Sequence, residues 1–334
     1  MKAVIHHAYG APEAVLSVQT VDTPVPKDDE VLVRVRAASM HPDVWHVIMG
    51  YPYVLRLMGN GVRKPGQRIP GTDLSGVVES AGRNVTRFKA GDEVFGESAR
   101  FGWLNGGTYA EFVAVSQDSL ALKPKNVTFE QAAAVPTAGT IALGNLGGAR
   151  RPARRNVLIN GAGGCMGPIA LQIAKADGAH VTVVDCAEKL PMLRSLGADH
   201  VIDYRKEDYL KNGERYDFIL DVVSVRSPRE YQHALSPAGS YVPIGHAHYD
   251  SSRRPILGDM PYFVGLLLRM LLDPAKRKNF KMLKKPEAMA IFRELLASGT
   301  LTPIVGKTFS LDEVPDALQW MREGHTPGRA IITP

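Results

Sequence analysis

Cysteine is nearly missing from this chain: Cys165 and Cys186 are the only two in 334 residues. Two thiols spaced so widely make neither a disulfide framework nor a metal knuckle, and such usage fits a reducing cytoplasm. Long hydrophobic runs are also missing. The most apolar stretch, Tyr262 to Leu272, is about half a membrane span and carries Arg269. It reads as a buried or interface helix, so no membrane span is expected. The opening MKAVIHHAYGAPE has one lysine and no apolar core, and no signal peptide is expected there. Neither sign of charge dominates, with 40 basic against 34 acidic residues. The densest basic groups are Arg150, Arg151, Arg154 and Arg155, then Lys276, Arg277, Lys278, Lys281, Lys284 and Lys285. Neither shows the repeated aromatic interleaving of a nucleic-acid groove, so solvated faces and no nucleic-acid partner are expected.

What remains is the composition of an ordinary soluble protein, 45% hydrophobic and 22% charged, on a chain long enough for two cores. The first third is strand-like. Val31 to Ala37 (VLVRVRA) alternates apolar and basic residues, as a strand with one buried face does. Gly71 to Ser80, Gly91 to Phe95 and Tyr109 to Val115 are further short β runs between glycines. Together they predict a β-rich barrel. The character changes at Lys123-Pro124. Thr128 to Leu146 reads as one helix, with Thr128 and Gln131 spaced for a capping box. Strands and helices then alternate: Asn156–Asn160, Gly167–Asp177, Val181–Asp185, Lys189–Leu196, Val201–Asp203, Phe218–Val223 and Tyr241–Ile244. That alternation predicts a parallel sheet with helices on both faces. The tail returns to short strands around a helix over Leu311 to Glu323.

Between the strand at 156 and the helix at 167 lies Gly161-Ala-Gly163-Gly164-Cys165-Met166-Gly167. Glycines in such a turn let backbone N–H groups approach a pyrophosphate, and the helix N-terminus adds partial positive charge. The spacing is not strict GxGxxG. The strand before, the helix after and the alternation beyond nevertheless agree on a dinucleotide site over Gly161, Gly163, Gly164, Cys165, Met166 and Gly167. Asp185 ends the second strand, where a carboxylate bonds ribose hydroxyls and repels a 2′-phosphate. Lys189, Tyr204 and Arg205 would suit a phosphate, so the residues themselves leave NAD(H) and NADP(H) both open.

At this point the motifs resemble the medium-chain dehydrogenase/reductase superfamily, in its quinone-oxidoreductase-like, zinc-free branch. The resemblance runs over essentially the whole chain. It rests on the opening MKAVIHHAYGAPEAVL, on EVLVRVRAAS at 30–39, PGTDLSGVV at 70–78, GDEVFG at 91–96 and GTYAEFV at 107–113. It continues through AAAVPTAG at 132–139, the glycine turn, LGADHVIDY at 196–204 and GHTPGR at 324–329. The fold implied is α/β: a Rossmann doubly wound parallel sheet over residues 124–288, plus a β-rich GroES-like barrel catalytic domain over 1–123 and 289–334. A homodimer joined through the last Rossmann strand is also implied, with Asn279 to Leu283 as that strand. Positions matching Lys189 and Tyr204 contact the adenosine phosphate in NADPH-using relatives, which tilts the expectation to NADP(H) over NAD(H). Pro136 to Thr140 is implied to pack against the nicotinamide.

Zinc-dependent members of that superfamily have Gly-His-Glu where this chain has Gly71-Thr72-Asp73, and a cysteine at His41. No cysteine precedes residue 165, so a four-cysteine structural lobe is absent. Threonine is not a natural zinc ligand, and His246 and His248 read as solvated loop residues. No metal is expected. Without a Lewis acid, hydrogen-bond donors must polarise the substrate. That favours quinones and α,β-unsaturated carbonyls. An alcohol dehydrogenase and a non-catalytic NADPH-binding redox sensor are the alternatives. Ser39 to His46 aligns with the family's substrate-facing loop. There His41 and His46 are the candidate donors and Trp45 a stacking surface, with Tyr51 and Tyr53 in the pocket. The apolar Phe263 to Leu272 is expected to cover the cleft or the dimer edge.

Overall fold

Strand formation follows the alternation that the sequence carries. The computed structural model describes residues 1–57, 61–66, 68–98, 106–146, 156–245, 256–257, 261, 265, 283–324 and 327–334. The first region contains β1 (Lys2–His6), β2 (Leu16–Thr20), β3 (Glu30–Ser39), β4 (Asp73–Ala81), β5 (Glu93–Glu97), β6 (Phe112–Ser116) and β7 (Leu120–Leu122). In β3, Val31, Val33 and Val35 are buried while Arg34 and Arg36 face solvent, so period two decides the buried face. The parallel-sheet region supplies β8 (Asn156–Asn160), β9 (His180–Asp185), β10 (His200–Asp203), β11 (Tyr216–Asp221) and β12 (Leu235–Pro243). The tail adds β13 (Val305–Ser310) and β14 (Arg329–Thr333).

These strands form two main sheets and a β1–β2 hairpin pair. The larger sheet runs β13-β14-β3-β4-β5-β7, with β6 pairing β3 off that path. β3 is long enough to hold two neighbours on one edge: its first half pairs β6 and its last two residues pair β14. The end of the chain is thereby sewn back into the N-terminal sheet. The other sheet is wholly parallel in the order β10-β9-β8-β11-β12. Its strand order reverses between β8 and β11, the place where open α/β sheets bind ligands.

Each sheet has its own core. Val31, Val33, Leu74, Val94, Phe309 and Ile332 belong to one cluster, and Val157, Ile159, Val181, Phe218 and Leu220 to another. The helix Lys285–Ala297 packs Met289, Phe292 and Leu296 into the parallel sheet's cluster. Its Phe292 sits against Gly139, where a side chain would collide with the ring.

The single helix expected over 128–146 is two, Phe129–Ala133 and Pro136–Leu146. The capping box of Thr128 and Gln131 forms. Pro136 has no N–H to donate and restricts Val135 before it, so the first helix stops and a second begins on the proline. The second helix begins beside β4, where the Thr137 N–H donates to Asp73 at 3.2 Å.

Candidate active site

The glycine turn leaves the C-terminal end of β8, and each glycine meets a different demand. Gly161 takes φ +78°, a conformation that costs side-chain-bearing residues. Gly164 is open: a Cβ there would meet only the Gly161 carbonyl oxygen at 3.7 Å. Gly167 begins the helix Gly167–Ala176, and a Cβ on it would collide with the backbone of Ala162. A tight turn, an open approach and a close helix–strand contact are the three demands of a pyrophosphate cradle, so these residues fit a dinucleotide. Met166 is buried before the helix, and Cys165 is half-buried in the turn. The floor between β8 and β11 is polar and satisfied. Asn160 donates to Asp221 at 2.8 Å, and Asp221 also accepts from the Ser224 N–H at 2.8 Å and the Tyr241 hydroxyl at 2.9 Å.

Asp185 ends β9 beneath this turn. Its carboxylate accepts from the Gly163 N–H at 2.7 Å and the Cys186 N–H at 2.9 Å. Lys189 stands 3.4 Å away, with only 6% of its side chain exposed. The charge that would repel a 2′-phosphate is therefore already matched by a cation in the same pocket. Tyr204 is half-exposed beside Arg205, which pairs with Glu188 at 3.0 Å. Burial, first, and the neighbouring Glu188 and Asp185 push the Cys186 thiol up to about 11, so it stays protonated near neutral pH.

On the other sheet, Asp73 is fully buried on β4. It accepts from Arg329 of β14 at 2.9 Å and from the Ser39 hydroxyl of β3 at 2.9 Å. Its second oxygen takes the Thr137 N–H at 3.2 Å and the Thr137 hydroxyl. Arg329, 1% exposed, also donates to the Ala134 carbonyl at 3.3 Å. One carboxylate thus ties three strands to the start of the helix that carries Thr140. The Thr140 hydroxyl donates back to the Pro136 carbonyl at 2.8 Å. Across the ladder from Asp73 stands Glu97, buried and 3.6 Å from Lys285. Burial raises its carboxyl, with Asp73 adding to the effect and Lys285 opposing it.

The segment expected to be a substrate-facing loop is instead the helix Pro42–Met49. Its cause is local. The His41 side chain caps it by accepting from the Asp43 N–H at 3.3 Å, Pro42 is preset for the first turn, and Gly50 ends it at φ +67°. The same Nδ1 also lies 3.1 Å from the Asp43 carboxylate. His46 faces a carbonyl instead. Its Nδ1 lies 3.2 Å from the Tyr51 carbonyl, which only accepts, so Nδ1 carries the proton. Trp45 is 5% exposed in the cluster of the larger sheet, with the Arg322 guanidinium 5.8 Å from its ring.

Tyr51 and Tyr53 face each other, with ring centroids 4.9 Å apart and hydroxyls 3.2 Å apart. That hydrogen bond is the main reason the Tyr51 hydroxyl titrates above its ordinary range. Tyr109 is fully buried, and its hydroxyl donates to the Ser39 carbonyl at 3.2 Å. Asp73, Arg329, Thr137 and Tyr109 were not singled out from the sequence. Their only signal was membership of PGTDLSG, GHTPGR, VPTAG and GTYAEF. His246, His248, Asn279 to Met282, and all of Phe263 to Leu272 except Gly265 lie outside the described residues.

Fold and site together define a two-sheet dehydrogenase-type subunit with a dinucleotide cradle. Residues 27–125 match the alcohol dehydrogenase GroES-like domain, and residues 196–332 match the family described as zinc-binding dehydrogenase. The chain is 30% identical over 341 residues to the 2-methylene-furan-3-one reductase of Solanum lycopersicum, covering 100% of this chain and 79% of that one. It is 29% identical to the chloroplastic NADPH-dependent alkenal/one oxidoreductase of Arabidopsis thaliana, covering 100% of this chain and 80% of that one. Among solved structures, the quinone oxidoreductase from Coxiella burnetii superposes with a TM-score of 0.79 at 28% identity, over 100% of this chain and 99% of that one. The chain belongs to the medium-chain dehydrogenase/reductase superfamily, in its quinone-oxidoreductase-like branch.

Proposed function

We propose that this chain is an NAD(P)H-dependent oxidoreductase that reduces a quinone or an α,β-unsaturated carbonyl without zinc. The observation that carries the zinc-free part is the commitment of Asp73. Both of its oxygens are taken by Arg329, Ser39 and Thr137, and its neighbour is Thr72 rather than a ligating side chain. Among the described residues no three His, Cys, Asp or Glu side chains gather as a metal site. A clamp between domains stands where zinc-dependent relatives have ligands. The relatives' names supply the acceptor classes: an enone-type furanone, alkenals and alkenones, and quinones.

Bound in the cradle, the nicotinamide supplies the hydride. Backbone N–H groups at the start of the helix Gly167–Ala176 would hold the pyrophosphate. Thr140, on the helix fixed by Asp73, packs beside the nicotinamide end. His41, beside the Asp43 carboxylate, is the donor toward an acceptor oxygen, where developing negative charge is stabilised. His46 braces the Tyr51 backbone, and Trp45 packs the helix against Arg322. Tyr51 and Tyr53 form the aromatic wall for a flat acceptor. NADP(H) is favoured over NAD(H), because Lys189 offsets Asp185 and Tyr204 and Arg205 stand alongside. The subunit pairs as a homodimer through an edge of the parallel sheet. Two free thiols fit a reducing compartment such as the cytoplasm, and no helix among the described residues is long and apolar enough to cross a membrane.

The test follows NADPH and NADH oxidation by absorbance with a simple quinone and a simple enone, with and without chelator. Chelator-resistant oxidation, faster with NADPH, is expected. About one zinc per chain with activity lost to chelator would return the chain to the alcohol-dehydrogenase reading. Tight cofactor binding with no turnover on any acceptor would support the cofactor-sensing one.

A further inference from the structure

Exposed apolar side chains are concentrated on one face. Of the nine large hydrophobic residues exposed among the described residues, five are Tyr53, Leu57, Val62, Ile256 and Leu257. Leu57 is 73% exposed, Ile256 67% and Val62 62%. They come from two chain segments about two hundred residues apart, joined by a backbone hydrogen bond from the Val54 N–H to the Ile256 carbonyl at 3.0 Å. Within the first segment the Gly61 N–H donates to the Arg56 carbonyl at 3.1 Å. Arg56 pins the platform from below. Its Nε donates to the Gly50 carbonyl at 2.8 Å, and its guanidinium lies 4.2 Å from the Tyr9 ring and 4.6 Å from the Tyr53 ring. The Tyr9 hydroxyl in turn donates to the Gly61 carbonyl at 2.5 Å. This apolar cluster is therefore presented by a braced piece of backbone.

The charge around it is mostly positive. Between Asp43 and Asp73 there is no acidic residue, while Arg56, Arg63, Lys64 and Arg68 are all present. Arg63, Lys64 and Arg68 are exposed beside Val62. In the second segment Arg253 and Arg254 precede Ile256, and Asp259 follows Leu257. Exposed apolar side chains flanked mainly by cations have the chemistry of an interfacial membrane contact. The apolar groups enter the headgroup boundary and the cations meet anionic lipid. A protein partner would need an acidic rim around an apolar socket, whereas an anionic bilayer offers both properties everywhere on its surface.

We propose that this face, formed by residues 56–57, 61–66 and 256–257, docks the protein peripherally on an anionic bilayer surface. The inference is independent of the hydride-transfer reading. The experiment is co-sedimentation of the purified full chain with phosphatidylcholine vesicles and with vesicles of phosphatidylcholine and phosphatidylserine in equal parts. Binding to the mixed vesicles, weakened by salt, is expected, with little binding to phosphatidylcholine alone. The double variant Leu57→Glu/Ile256→Glu should lose about tenfold or more, since it replaces apolar contacts with charges that the lipid repels. Arg63→Gln/Lys64→Gln, which leaves the apolar residues intact, should lose about fivefold per charge removed. NADPH binding by each variant reports that it is folded. Equal vesicle binding by wild type and both variants would overturn the proposal. So would failure of the wild type to bind mixed vesicles. A wild-type dimer that Leu57→Glu/Ile256→Glu splits into monomers, without vesicle binding, would assign the face to a second copy.

Discussion

Asp73 and Asp185 are both buried carboxylates with a cation beside them, yet their surroundings differ. Asp73 is fully buried, and everything it touches belongs to the frame: Arg329, Ser39 and Thr137, drawn from β14, β3 and the helix Pro136–Leu146. Asp185 ends β9 beneath the glycine turn, bonded to two backbone N–H groups and facing Lys189 from 3.4 Å. Arg329 donates to Asp73 at 2.9 Å and to a second acceptor, so it cannot turn away without leaving a buried negative charge uncompensated. Lys189 is a flexible point charge, and Asp185 keeps two donors when that lysine reaches elsewhere. The first pair ties strands of the larger sheet to the start of the helix Pro136–Leu146. The second keeps a flexible cation beneath the glycine turn.

That difference can be broken experimentally, most strongly at the frame. Arg329→Met leaves Asp73 buried and uncompensated, and should lower unfolding free energy by about 3–5 kcal/mol. Adding Asp73→Leu removes the orphaned charge and should recover a large part of it in denaturant titrations. Full stability of Arg329→Met alone would show that the pair does not anchor the helix Pro136–Leu146 to the larger sheet. The next largest effect lies at a third buried group. His6 is 1% exposed on β1, with a ring nitrogen 3.2 Å from the Ile48 carbonyl on the His41 helix. Burial pulls its pKa from 6.5 down to about 4. The unfolded chain binds this proton more readily, so stability is lost as pH falls through about 6.5 toward 4, by up to about 3 kcal/mol. His6→Gln should flatten that part of a melting-temperature profile.

Smaller effects are expected at the second pair. Lys189→Met should raise the KM for NADPH by about tenfold to a hundredfold, the size of a charge-assisted hydrogen bond, and leave the KM for NADH within about twofold. Equal losses with both cofactors would make Lys189 a packing residue. Asp185→Asn keeps an acceptor for the Gly163 N–H but removes the charge. It should improve the NADPH-to-NADH ratio of kcat/KM by up to about fivefold.

The same contrast explains what could be read in advance. The cradle was legible because its requirements are local: glycines between an apolar strand and a helix leave a pattern in consecutive residues. Asp185 and Lys189 were legible for the same reason, four residues apart at a strand end. That they face each other was not. The Asp73 clamp joins residues up to 256 positions apart, and no periodicity encodes such a contact. The helix Pro42–Met49 was missed because its N-cap is a histidine, outside the usual serine, threonine, aspartate and asparagine set. The break at Pro136 was in plain view, but the alanine-rich run on both sides outweighed it.

The central claim, hydride delivery to a conjugated or quinoid acceptor without a metal, is tested most directly with NADPH carrying deuterium at C4 and a simple enone, in chelator. The account predicts deuterium at the β-carbon of a saturated ketone. Deuterium on the carbonyl carbon of an allylic alcohol, formed only when zinc is restored, would contradict it.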